Sequence, residues 1–120
     1  MKVAVTSQGP DLNSQVATRF GRARYFLMVD ATSGAFTVRD NSGNLSTGHT
    51  AGMQAAGAIV SLGVGAVITG SIGPKAFATL QAAKVEVYTI PSGTVEDAIE
   101  KLKAGRLQLA QEANMQEHWT

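Results

Sequence analysis

Three arginines fall within six positions in the segment Arg19-Phe20-Gly21-Arg22-Ala23-Arg24. Guanidinium is the side chain best suited to planar, multidentate contact with an anion. A cluster of like charge this dense either stands in water or faces a negatively charged ligand, and residue types alone leave both readings open. The second candidate is Gly70-Ser71-Ile72-Gly73-Pro74-Lys75, a glycine-bounded turn from a strand into a helix. Backbone N–H groups of Ser71 to Gly73 at a helix N-terminus make a generic anion site. Lys75 puts a cation where the helix dipole disfavours one. The same segment also reads as a tight turn with an exposed lysine. It lacks the spacing of a Walker loop, and Gly63-Val64-Gly65 precedes a strand rather than following one, so no dinucleotide fingerprint is present. His49, in Thr47-Gly48-His49-Thr50, is placed either to contact an anion or metal or to serve as a polar residue at a helix start.

Groups for catalysis are sparse. Asp11, Asp30 and Asp40 are the candidates for a carboxylate cluster of the two-metal hydrolase type. Asp30 falls at a hairpin turn and Asp40 at a strand end, where aspartate is commonly structural. No G-x-S-x-G motif suggests a serine nucleophile. We therefore assign no catalytic residue and expect a protein that is not an enzyme. The chain has no cysteine, which excludes disulfides, thiolate zinc sites, cysteine nucleophiles and cysteine-ligated iron–sulfur clusters. A net charge of +1 gives no global argument for nucleic acid. The distribution is uneven: residues 1–29 hold Lys2, Arg19, Arg22 and Arg24 against Asp11 alone. No stretch approaches the roughly 20 apolar residues that span a bilayer. Met1 leads straight into a strand-like run without a signal region, so the expectation is a cytoplasmic protein.

The elements that must position these residues follow from periodicity. Lys2–Thr6, Tyr25–Val29 and Ala35–Arg39 read as strands, the last two joined by a hairpin at Ala31-Thr32-Ser33-Gly34. Between the first two lies a long loop, with a helical turn around Val16, and a second polar loop runs from Asn41 to Thr50. Met53, Ala56 and Val60, with Ile59 beside them, mark a helix from Thr50 to Leu62 that stops at Gly63. Ala66–Thr69 is a strand, Pro74 opens a helix with Ala76, Phe77, Leu80 and Ala83 on its apolar face, and Val85–Ile90 is a strand. Thr94 is an N-cap with Asp97 in capping-box position; Val95, Ala98, Ile99 and Leu102 face inward, and Gly105 ends the helix. Alternating strands and helices in the second half imply right-handed parallel crossovers. One mixed five-stranded sheet with packed helices accounts for this α/β order. If the first strand pairs with Ala66–Thr69, the loops from Ser7 and Gly70 meet beyond the strand ends. The domain is expected to span 1–105, with a polar tail over 106–120.

These segments resemble the dinitrogenase iron–molybdenum cofactor biosynthesis family, the NifX/NifB C-terminal-like domains. The resemblance rests on Met1 to Thr6, Val16 through Phe20-Gly21-Arg22-Ala23, Tyr25-Phe26, and the His49 loop. It continues through Val67 to Gly70, Ile72-Gly73-Pro74-Lys75-Ala76, and Ser92 to Ala98. It implies a ribonuclease H-like three-layer fold and the noncovalent binding or carriage of a metal–sulfur cluster. For a stand-alone cysteine-free chain it implies a molybdenum–copper sulfide cluster, or a related molybdenum- or iron-containing one. It further implies MinD/Mrp-like ATPases as partners of a monomer. Such a cluster is a polyanion that brings its own sulfide. Arg19, Arg22, Arg24 and Lys75 would supply charge, Gly21 and Ser71 to Gly73 backbone, and Phe20, Met53 and Ile72 apolar walls. His49 falls where some members place a cluster-contacting histidine. Two other functions compete: a ribonuclease H-like metal-dependent nuclease or phosphoryl-transfer enzyme using Asp30 or Asp40, and a protein–protein adaptor docking through the basic edge.

Overall fold

The computed structural model describes residues 2–41 and 51–111. Strand β1 (Lys2–Ser7) is followed by a 3-10 turn at Phe20–Arg22, then β2 (Tyr25–Asp30) and β3 (Phe36–Asp40). Helix α1 (Ala51–Ser61), β4 (Ala66–Thr69), α2 (Pro74–Ala82), β5 (Glu86–Thr89), α3 (Val95–Lys103) and β6 (Gln108–Leu109) complete the described elements. The mixed sheet has the order β3-β2-β1-β4-β5-β6. β1, β4 and β5 run parallel, whereas β2 is antiparallel to both of its neighbours.

Alternation along β1 divides the core. Val3 and Val5 face a cluster with Leu27, Val29 and Ile68, closed by Val95, Ala98 and Ile99 of α3. Ala4 faces the other side, with Phe20, Phe26, Val67 and Val87, closed by Ala55 and Ile59 of α1 and by Ala76, Phe77 and Leu80 of α2. Helices therefore cover both faces of the sheet and make three layers.

Four expectations are corrected. The sheet has six strands, not five: a left-handed Gly105 (φ 70°) turns the chain back, and Ala110 N–H donates to the Val87 carbonyl at 2.7 Å. This covers the open edge of β5. The face of α1 is also rotated. Ala55, Ala56 and Ile59 are buried, but Met53 and Val60 are 44% and 37% exposed. A helix apolar on every side gives no unique phase, and small residues let α1 lie close against α2. No helical turn forms at Val16, which instead makes an antiparallel bridge with Ser7; the turn comes at Phe20–Arg22. Ala83 lies beyond the last turn of α2 and is exposed, because the helix ends at Ala82 and Lys84 turns left-handed (φ 62°).

Candidate functional site

β1 and β4 are parallel neighbours, so their carboxyl ends finish side by side. The chain leaves them in opposite directions across the sheet, which is where ligands of open α/β sheets bind. The two departing loops are laced together. Ala17 N–H donates to the Thr6 carbonyl at 2.9 Å and Gly70 N–H to the Ala17 carbonyl at 3.1 Å. Phe20 N–H donates to the Ser71 carbonyl at 2.8 Å, and the Ser71 hydroxyl donates to the Thr18 carbonyl at 2.6 Å. Beneath them, the buried Thr6 hydroxyl donates to Thr69 Oγ1 at 2.8 Å, tying the two strand ends. Gly70 marks the closest approach. A Cβ there would lie 2.7 Å from Thr18 O and 2.8 Å from Thr18 Cα, so only glycine fits without backbone movement.

The lacing orients the arginine segment. Phe20 is buried and stacks on Phe26, ring centroids 6.2 Å apart and 22° between planes. Gly21 is buried beside it, while Arg19, Arg22 and Arg24 are all exposed. Asn41 fastens the far end: its side-chain amide donates to the Ala23 carbonyl at 2.8 Å and its backbone N–H to the Arg24 carbonyl at 2.8 Å. On the other loop, Ile72 and Gly73 are buried, Ser71 is half-buried and Lys75 is exposed in the first turn of α2. Gly73 caps that helix without any side-chain hydrogen bond, and Pro74 follows at its first position. The N-terminus of α3 is occupied internally. Val95 and Glu96 N–H groups donate to the Ser14 and Leu12 carbonyls, each at 2.9 Å, and the Thr94–Asp97 capping box is formed. Of the two helix starts at this edge, that of α3 is thus engaged by loop backbone, and that of α2 opens at Gly73-Pro74.

The expected walls divide. Phe20 and Ile72 are 1% and 0% exposed, so they support the loops from within the core rather than present a surface. Met53 is exposed on α1, and α1 packs against the Phe20–Arg22 turn. His49 lies outside the described residues. Sequence reasoning passed over Thr18 and Asn41, which hold the loops by a carbonyl and an amide. The glycine at position 70 was read only as part of a tight turn, with no sign that Thr18 passes so near.

The carboxylates do not converge. Asp40 lies opposite Tyr25 at the start of β2 and Asp30 at its end, about 17 Å apart along the strand direction. Asp30 Oδ1 accepts the N–H groups of Thr32 at 2.9 Å and Ser33 at 3.3 Å, closing the hairpin. The Thr32 bond, then the Ser33 bond, hold its carboxyl below the usual carboxylate value. Among the described residues, no three of His, Cys, Asp and Glu are gathered as ligands for a bare metal ion.

Known proteins share this fold. The orange protein of Desulfovibrio gigas, solved in its apo form, is 38% identical over 95% of this chain and 96% of its own, with a TM-score of 0.91. A Thermotoga protein, described as NifB and of the DUF35 family, is 41% identical over 90% of this chain and 91% of its own, with a TM-score of 0.79. An uncharacterized protein of Methanocaldococcus jannaschii is 27% identical over 110 residues, 90% of either chain. The family model described as dinitrogenase iron-molybdenum cofactor matches residues 1–105, and the chain belongs to that family.

Proposed function

We propose that this protein binds and carries a preassembled anionic metal–sulfur cluster, of the molybdenum–copper sulfide type or a related molybdenum- or iron-containing one, without reacting on it. The observation that carries the reading is the lacing of residues 17–20 to Gly70 and Ser71, which sets the arginine segment beside the start of α2. The cluster is the cargo. A chain without cysteine offers it no thiolate, which suits a cluster that keeps its own sulfides and needs charge, N–H donors and shelter. Arg19, Arg22, Arg24 and Lys75 supply the charge and Met53 an exposed thioether face. Family membership and the likeness to the orange protein support the same reading.

The finer assignments follow from it. We place the fold in the ribonuclease H-like class, supported by its three layers and mixed sheet. Residues 1–105 form the cluster-binding domain and 106–120 a tail whose Gln108–Leu109 joins the sheet. We take the carrier to be a cytoplasmic monomer with MinD/Mrp-like ATPases as partners. The test is titration of apo-protein with tetrathiomolybdate and copper, followed by visible absorption and gel filtration. Co-elution of protein and colour is expected. Replacing Arg19, Arg22 and Arg24 together by alanine should weaken binding by about tenfold or more and reduce its salt dependence. Unaltered affinity in that variant would exclude this edge as the binding site.

A further inference from the structure

Arg39 belongs to the edge strand β3, and its pairing places it in the neighbourhood of the arginine segment. Its Cα partner on β2 is Phe26. Residues directly opposed on antiparallel strands project to the same face. Phe26 is in the core cluster closed by α1 and α2, so Arg39 emerges on the α1 side. Two residues before Phe26 on the same face stands Arg24, and the Asn41 N–H to Arg24 carbonyl bond carries the pairing one step past the strand ends. Arg24 and Arg39 are thus diagonal neighbours, a relation that holds Cα atoms about 7–8 Å apart and lies well within reach of two guanidiniums.

Both side chains are exposed. Asp40, next in sequence to Arg39, alternates to the other face and pairs with Tyr25. No ion pair to either Arg24 or Arg39 is formed among the described residues. β3 runs parallel to β1, so Arg39 lies at the same end of the sheet as the laced loops. Two like charges set side by side repel one another and destabilise the pairing unless an anion neutralises them.

We propose that Arg39 is a further ligand-binding residue, and that Arg24 and Arg39 form a two-arginine fork for one face of the anionic cargo. The fork rests on the cluster-carrier reading and deepens it. It extends the anion edge from the carboxyl ends of β1 and β4 across to β3, which makes the ligand surface wider than the loop arginines alone define. Two forked guanidiniums can each donate a pair of N–H groups to the outer sulfide or oxide atoms of a thiometallate.

The test is a double-mutant cycle with Arg24→Ala, Arg39→Ala and the double variant, titrated with tetrathiomolybdate plus copper at two salt concentrations. Each single change is expected to weaken binding by about fivefold. The double change should weaken it by less than the product, because a fork with one arm has lost its geometry. Arg39→Lys should recover only part of the loss. Lys84→Gln, at the opposite end of the sheet, should bind as the unaltered chain does. Tight binding by the unaltered chain with undiminished binding by Arg39→Ala overturns the fork and leaves the carrier reading standing. Independent, multiplicative effects of the two changes overturn the pairing of Arg24 with Arg39. Failure of the unaltered chain to bind the probe overturns the carrier reading itself, and the fork with it.

Discussion

Gly70 is the residue on which the site most depends without touching a ligand. A methyl group there would meet backbone atoms of Thr18 at 2.7 and 2.8 Å, and neither loop can yield without losing the hydrogen bonds that join them. Gly70→Ala should therefore destabilise the fold by about 1–3 kcal/mol and weaken cluster binding as well, as measured by urea unfolding and thiomolybdate titration. A variant of native stability and affinity would show that the loops separate easily. Asp30 makes a different prediction. Its carboxyl is held below the ordinary value by the Thr32 and Ser33 N–H groups, so its folded pKa is depressed. A depressed acid contributes stability above its unfolded pKa and loses it as pH falls through the folded one. Asp30→Asn should be less stable than the unaltered chain at neutral pH, and the gap should close in acid below the usual aspartate range. A gap independent of pH would mean that the carboxylate charge is irrelevant to the hairpin. These roles differ in legibility. The turn role of Asp30 follows from its position before Thr32-Ser33-Gly34. The role of Gly70 was visible only as a glycine in a tight turn, because the atoms that demand it lie 52 positions earlier, at Thr18.

At the scale of elements, α3 and α1 show opposite limits of sequence reasoning. α3 could be read in full: a Thr94 cap, a reciprocal Asp97, one apolar face and a left-handed Gly105 all stand in the structure. Thr94→Ala should cost about 1 kcal/mol in unfolding experiments. A loss beyond about 2 kcal/mol would mean that the tie from the α3 start to Ser14 and Leu12 had failed with the cap. α1 offered apolar residues at nearly every position, so Met53, Ala56 and Val60 looked as good a stripe as any. What decides its phase is the partner: the face that carries Gly52, Ala55, Ala56 and Ile59 is the one buried as α1 packs on α2 and on the Phe20–Arg22 turn. Ala55→Leu should thus overpack the helix contact and destabilise by about 1–3 kcal/mol, as measured by thermal unfolding. Met53→Gln should leave stability within about 0.5 kcal/mol while reducing cluster affinity. If the two variants behaved alike, the burial difference between the faces of α1 would have no energetic meaning.

Across the whole molecule, the parallel pairing of β1 with β4 converts two stretches remote in sequence into one edge. The meeting of the Ser7 and Gly70 loops was legible only on the condition that β1 pairs with β4, since adjacent parallel strands must end together. Whether arginines 19, 22 and 24 face a ligand was not, because a solvated basic loop has the same residue types. Nor was β6, whose short run carries too little alternation to declare a strand until Gly105 returns it along β5. The folded arrangement makes the edge a property of the native state alone: unfolding separates Thr18 from Ser71, and Arg24 from β3, and leaves scattered cations. A ligand that requires the assembled edge binds the folded chain and not the unfolded one, so it must stabilise the fold by mass action. At a free ligand concentration a hundred times its Kd the gain is about 2.7 kcal/mol, which for a domain of this size raises Tm by roughly 8–15 °C. Calorimetry of the apo-protein with and without thiomolybdate and copper measures it. Because exposed guanidiniums are screened by salt, the increment should shrink as ionic strength rises from about 0.01 M, where the screening length is near 30 Å, to 1 M, where it is near 3 Å. A Tm rise that is insensitive to salt would point to apolar shelter around Met53 as the main source of affinity, and no rise at all would remove the assembled edge as the binding site.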